Sequence, residues 1–230
     1  MFIPIYDYNR LEHVRLQYVT LGVMAIAIFM FVFFQSGVFI DGLKANALGL
    51  GVVPSVILDQ KVLPPGYGLV PENLTLVTYT FVHGDWLHLI GNMLFIWVFG
   101  DNVEDAMGHF RFLIFYVACA AGAAAFHIMM MPTSDAPLIG ASGAASGIIA
   151  AYLMLHPKIR VWVLVLSKIP VPISAAWALG AWIALQFVNV MLPDDGEVAW
   201  WAHIGGLLTG AALVLVLRRP GVRLFDGNAS

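Results

Sequence analysis

Six apolar runs punctuate the chain, at about residues 18–40, 86–100, 112–131, 138–155, 171–192 and 199–217. A helix rises 1.5 Å per residue, so about 20 apolar residues cross the ~30 Å hydrocarbon core of a bilayer. The pattern predicts six membrane-spanning helices in one domain covering residues 1–230. The second run is short, and its possible extension through residues 75–82 carries Thr75, Thr78 and Thr80, with His83 just beyond. Those polar positions place that part at the membrane interface. Residues 161–169 are apolar too, but the stretch is short, bounded by Arg160 and Pro170, and reads as an interfacial or connecting segment. The loop 41–85 is long. Its prolines (Pro54, Pro64, Pro65, Pro71) are interspersed with Val52, Val53, Val56, Ile57 and Leu58, which predicts an ordered, partly membrane-associated element. No internal repeat or low-complexity tract is visible.

Composition agrees with the spans. The chain is 60% hydrophobic and 11% charged with a mean hydropathy of +0.86, where a soluble domain carries about a quarter charged residues. This is the signature of an integral membrane protein. A net charge of −3 offers nothing toward nucleic acid, and none is expected as a partner. The sole cysteine, Cys119, excludes an internal disulfide. Residues 1–10 lack an apolar core followed by a small-residue cleavage site, so no cleaved signal peptide is expected.

Loop charge sets an orientation. With the N-terminus inside, Arg10, Arg15, Arg111, Lys158, Arg160, Lys168, Arg218, Arg219 and Arg223 are cytoplasmic, and only Lys44 and Lys61 lie outside. That asymmetry follows the positive-inside rule. The loop bearing Asp101, Glu104 and Asp105 falls inside and the acidic loop 194–197 outside. Both termini are then cytoplasmic. The membrane expected from the six spans and the short chain is a plasma or inner membrane, with an organelle membrane as the alternative.

The spans contain no Asp, Glu, Lys or Arg. They hold His88 and Asn92, His127, Ser142 and Ser146, Gln186 and Asn189, and His203. Polar groups at membrane depth are costly, so each is a candidate functional residue. Runs two, four and six all point inward, and His88, Asn92, Ser142 and His203 lie near their outer ends. His88 and Asn92 are four apart, on one helix face. Three helices thus bring a serine, a histidine and a His/Asn pair to one level of the outer leaflet.

The chemistry follows from the residue types. A serine needs a base to become a nucleophile, and neutral histidine serves. Side-chain N–H donors from His88 and Asn92, with the Ser142 backbone N–H, suit a tetrahedral oxyanion. No carboxylate is available at this depth, so the catalytic unit is expected to be a Ser142/His203 dyad. Ser142 has glycines on both sides, Gly140 and Gly143. Ser146 lies one turn deeper and is assigned to packing or to support of the site. Gly206 and Gly210 follow His203 at small-residue spacing, which lets two helices approach closely. His127 reads as a satisfied or interfacial histidine, and Gln186 and Asn189 as hydrogen-bonding between helices or to backbone.

His88-Leu89-Ile90-Gly91-Asn92, Gly140-Ala141-Ser142-Gly143 and Ala202-His203-Ile204-Gly205-Gly206, in this order on runs two, four and six, resemble the rhomboid family of intramembrane serine proteases. The resemblance covers essentially the whole chain. It implies an all-α, six-transmembrane-helix rhomboid-like bundle with a long, partly membrane-associated first external loop. It implies Ser142 as nucleophile, His203 as general base and then acid, His88 and Asn92 lining the oxyanion hole, and a structural role for His83. Substrates would be membrane proteins cut in or next to a transmembrane helix, at a site opening to the external side. No cofactor and no metal is implied, and the sequence fixes no oligomeric state.

Two departures stand out. Some members carry an aromatic residue four positions after the nucleophile, stacking on the catalytic histidine; here that position is Ser146. The first loop also lacks the Trp-Arg pair of some members, since no arginine occurs between Arg15 and Arg111. Anchoring of the loop is then expected from Tyr67 and residues 52–58. A small transporter would instead require ionisable groups near the midplane and inverted repeats. An aspartyl protease needs a second carboxylate facing Asp101, and a metalloprotease needs His-Glu-x-x-His; neither pattern is present. A catalytically silent relative would lack the nucleophile or the base, and both are retained.

Overall fold

The computed structural model describes residues 2–165, 168–192 and 198–225. The elements run β1 (Phe2–Asp7), α1 (Tyr18–Phe34), α2 (Leu43–Leu50), α3 (Pro54–Ile57), α4 (Thr75–Thr78), α5 (Trp86–Met107), α6 (His109–Met130), α7 (Ser142–Leu155), β2 (Arg160–Val165), β3 (Ile169–Ser174), α8 (Ala175–Met191) and α9 (Trp200–Leu217).

Helix α7 is the axis of the molecule. Residues Gly143 to Tyr152 and Leu155 are buried, as expected of a helix that is apolar on every side. Its run of Gly, Ala and Ser leaves little side chain between it and its neighbours. A Cβ added at Gly206 of α9 would lie 1.9 Å from the Gly143 carbonyl oxygen, and one at Gly210 would lie 2.3 Å from that of Gly147. Backbone therefore meets backbone along the α7–α9 seam. In lipid, where apolar burial drives little association, such close packing holds helices together. On the other face of α9, Gly205 sits against Phe126 and Ala123 of α6.

Among the described residues, two helices, α6 and α9, are long and apolar enough to cross a membrane by length and composition; α1, α7 and α8 are shorter apolar helices. Helix α5 has 22 residues but turns polar at its C-terminal end. There the structure departs from the expected acidic loop, because Asp101, Glu104 and Asp105 lie within α5. The carboxylates are consumed by backbone. Glu104 accepts the N–H groups of Val19 and Thr20 at 3.0 and 2.8 Å and the Thr20 hydroxyl at 2.7 Å. It thereby caps the start of α1, whose own N-cap, Gln17, offers no side-chain bond. Asp105 accepts the N–H groups of Glu12, His13 and Val14 at 3.0, 2.7 and 2.6 Å.

The all-α expectation also needs correction, because the end of the bundle opposite Ser142 carries a three-stranded antiparallel sheet in the order β1-β2-β3. The stretch expected to be a connector is central strand β2, with Val161 and Val163 buried in the alternation of a half-buried strand. The prolines fall on the edges, as a missing N–H requires: Pro4 beside the register shift in β1, Pro170 and Pro172 in β3. The fifth apolar run accordingly becomes helical only from Ala175, because residues 171–174 complete β3. The fourth becomes helical only at Ser142, and the first ends at Phe34.

The first loop is ordered through α2, α3, α4 and the 3-10 turns Glu72–Leu74 and Tyr79–Phe81. Val52 pairs reciprocally with Leu138, at 3.1 and 2.7 Å, which zips the loop to the segment entering α7. Val52, Val53 and Val56 are buried in the protein. Residues 52–58 therefore serve mainly as core, contrary to the expectation that they anchor the loop in lipid. The acidic loop 194–197 lies outside the described residues.

Candidate active site

Ser142 opens α7, with Ala141 as an N-cap that makes no side-chain bond. The first N–H groups of any helix lack intrahelical partners, so the nucleophile candidate stands beside free donors. The chain reaches this point through Gly140, at φ +103, a region that favours glycine. The Gly140 N–H is fixed to the Tyr79 carbonyl at 3.0 Å.

His203, on α9 and 7% exposed, has both ring nitrogens engaged. Its Nε2 lies 2.8 Å from Ser142 Oγ, and its Nδ1 lies 2.8 Å from Gln186 Oε1 on α8. An amide oxygen only accepts, so Nδ1 carries the proton and Nε2 presents its lone pair to the serine hydroxyl. Trp182 and Trp200 flank the ring, with centroids 6.0 and 5.7 Å away at interplanar angles of 32° and 89°.

The His/Asn pair approaches from α5. Asp85 caps that helix by accepting the His88 N–H at 2.8 Å. The Gly84 N–H points to His88 Nδ1 at 3.4 Å. Nδ1 accepts there, which leaves Nε2 as the protonated donor. A Cβ at Gly140 would lie 2.4 Å from His88 Nε2 and 3.4 Å from Asn92 Nδ2. Both donors are therefore aimed at the backbone just before Ser142. Asn92 Nδ2 is buried without a hydrogen-bond partner, as expected of a donor whose acceptor arrives with substrate. His83 is fully buried against the His88 ring, at a centroid distance of 5.2 Å. Burial and the neighbouring His88 push its imidazole down to about 3, so it is neutral at physiological pH and serves packing.

Ser146 does not reach the histidine. Its hydroxyl donates to the Ser142 carbonyl at 2.7 Å, and its Cβ packs against Gly206. Gly143 lies under Ala123 and the Tyr79 hydroxyl. The sequence reading missed the contact of Gln186 with His203. Its one signal was a glutamine amid lipid-compatible residues, expected to bond between helices or to backbone, and it does both: Nε2 donates to the Trp182 carbonyl at 2.9 Å. Among the described residues, no group of three or more His, Cys, Asp or Glu side chains is arranged to hold a metal.

These residues fall within one domain known from other proteins. The rhomboid domain profile matches residues 71–220, well over half the chain. The protein belongs to the rhomboid family of intramembrane proteases. It is 29% identical over 162 residues to rhomboid-like protein 11, chloroplastic, of Arabidopsis thaliana, covering 66% of this chain and 55% of that one. It is 30% identical over 149 residues to RHOMBOID-like protein 6, mitochondrial, of the same plant, covering 64% and 44%. Rhomboid protein 1, mitochondrial, of Saccharomyces cerevisiae is 28% identical over 174 residues, covering 74% and 49%. The matched part spans about half the length of these relatives.

Proposed function

We propose that this protein is an intramembrane serine endopeptidase that cuts membrane-protein substrates in or next to a transmembrane helix. The observation that carries the reading is the 2.8 Å contact between His203 Nε2 and Ser142 Oγ, with the lone pair facing the hydroxyl. In the proposed reaction, Oγ attacks the scissile carbonyl carbon while its proton passes to His203 Nε2. The oxyanion is met by His88 Nε2–H, Asn92 Nδ2 and the Ser142 backbone N–H. The intermediate collapses as the C–N bond breaks and His203 returns the proton to the leaving amine. Water then attacks the acyl-enzyme with His203 again as base, releasing the new carboxylate and restoring Ser142. A substrate helix hydrogen-bonds its own carbonyls, so it must unwind locally before attack.

The six-span reading assigns the crossings to α1, α5, α6, α7, α8 and α9 within a single domain. Helix α7 has 14 residues, about 21 Å at 1.5 Å per residue, against ~30 Å of hydrocarbon. If its inner end sits at the interface, Ser142 lies below the outer surface, at the floor of a depression that admits water. Among the described residues, Asp7 and Phe225 both lie at the opposite end of α7: Phe225 N–H bonds the Met154 carbonyl at 2.7 Å, and Tyr152 donates to Asp7. This favours cytoplasmic termini and a site open to the external face, in a plasma or inner membrane; the mitochondrial and chloroplastic relatives make an organelle the competing location.

The test is cleavage of a model transmembrane substrate in liposomes by the wild type and by Ser142→Ala, Ser146→Ala and His203→Ala. Ser142→Ala and His203→Ala are expected to be inactive and Ser146→Ala to retain activity. Cleavage by Ser142→Ala at the wild-type rate would overturn the reading, and loss confined to Ser146→Ala would exchange the two serines.

A further inference from the structure

We propose that Gln186 is a positioning residue that sets the tautomer and ring plane of His203, so that α8 supplies the orienting contact for a base carried by α9. This rests on the reading of Ser142 and His203 as nucleophile and base. Gln186 is 3% exposed, whereas Leu185, Phe187 and Val188 beside it are 51%, 48% and 50% exposed. Its amide is turned inward, on the same helix that buries Ala175, Ala178 and Leu179, and both ends of it are used.

The orientation of that amide is over-determined. Nε2 donates to the Trp182 carbonyl, which only accepts, so Oε1 is the end that faces His203. The reversed amide would set oxygen against oxygen at Trp182. It would also present N–H to His203 Nδ1, which would move the ring proton to Nε2 and leave Ser142 facing a donor instead of a base. Gln186 and Trp182 are one turn apart, and the Trp182 ring lies 6.0 Å from His203. Helix α8 thus fixes the ring by one hydrogen bond and one aromatic contact. It does from another helix what an aromatic residue at the Ser146 position would do from α7.

An amide suits this location. A buried carboxylate would be costly in a membrane interior, and a neutral acceptor sets the tautomer without adding net charge. The difference has a measurable consequence, because a carboxylate stabilises imidazolium more than an amide does. Among the described residues, the ionisable groups that act on His203 are His88 of α5 and His127 of α6. Neither changes in the variants below.

The test uses the full chain in liposomes, with Gln186→Met, Gln186→Glu and Ser142→Ala. Cleavage of a model transmembrane substrate is followed against pH, alongside labelling of Ser142 by a serine-reactive fluorophosphonate. Gln186→Met keeps the length and loses the acceptor. It is expected to lower kcat by about 10- to 100-fold, part of the ~10²–10⁴ that a well-placed base contributes, with KM within about twofold and labelling slowed to match. Gln186→Glu is expected to keep substantial activity at alkaline pH, with the acid limb of its kcat profile displaced upward by about one pH unit. Wild-type kcat in Gln186→Met, with Ser142→Ala inactive, overturns this inference and leaves the proposed active site standing. An unshifted acid limb in an active Gln186→Glu overturns it as well, and decides the matter if the methionine variant fails to fold. Activity in Ser142→Ala would remove the proposed site and this inference with it.

Discussion

At the scale of single residues, the site is marked by what it leaves unsatisfied. A buried donor without a partner costs about 1–3 kcal/mol, and the Asn92 side chain carries one in Nδ2. Folding gains nothing from that N–H, so its removal separates stability from activity. Asn92→Ala is expected to lower kcat by about 10²–10³, as for loss of one oxyanion donor, while thermal stability in detergent stays the same or rises. A fall in activity below about twofold would take Asn92 out of the hole. A matched loss of stability and activity would make it a structural residue. Gly140 belongs to the same scale, since its positive φ and its clearance from His88 admit no side chain. Asn92, Ser142 and His203 stood out as candidates in the sequence because a polar side chain is out of place in lipid. The role of Gln186 did not, because a glutamine's partner depends on the rotation of its helix, which no local pattern records.

At the scale of elements, the α7–α9 seam decides whether the serine and the histidine meet. Gly206 is one turn beyond His203, and a Cβ there would lie 1.9 Å from the Gly143 carbonyl oxygen, which belongs to backbone and cannot turn aside. Gly206→Ala must push α9 away from α7 and lengthen the 2.8 Å contact between His203 and Ser142 at one end of the seam. Overpacking of this kind costs about 1–3 kcal/mol or more. The expected result is a lowered melting temperature together with at least a tenfold fall in kcat. Gly180→Ala on α8, where a Cβ would meet nothing within 4 Å, is the matched control and should keep full activity. Equal behaviour of the two variants would show that the seam tolerates separation. The glycine spacing that forms the seam was readable from the sequence. The start of α7 was not placed correctly: hydropathy cannot tell an apolar non-helical segment from an apolar helix, and here Leu138 is held by pairing with Val52 and the positive φ of Gly140 keeps the chain out of a helix until Ser142.

At the scale of the whole molecule, the end of the bundle opposite Ser142 is tied together by the parts that hydropathy undervalued. Strand β1 returns the N-terminus to β2, and Asp7 at its end is buried against the Tyr152 hydroxyl of α7. Alternating valines in β2 and carboxylates at the end of α5 looked like connector and loop because their partners lie far along the chain. This closure carries a pH signature. Burial raises the Asp7 carboxyl from 3.8 to about 6, opposed in part by the hydrogen bond from Tyr152. Between those values the folded protein holds the proton more tightly than the unfolded chain. The contribution of Asp7 to stability is therefore fully present below about pH 4 and is lost as pH rises through 6. A shift of about two units corresponds to at most about 3 kcal/mol. Asp7→Asn keeps an acceptor for Tyr152 and stays neutral at every pH. It should match the wild type near pH 4 and exceed it in melting temperature at pH 7.5, with the gap opening between pH 4 and 6. Thermal unfolding in detergent across that range checks the expectation. A wild type more stable than Asp7→Asn at pH 7.5 would mean that the ionised carboxylate, not the neutral one, holds β1 to α7.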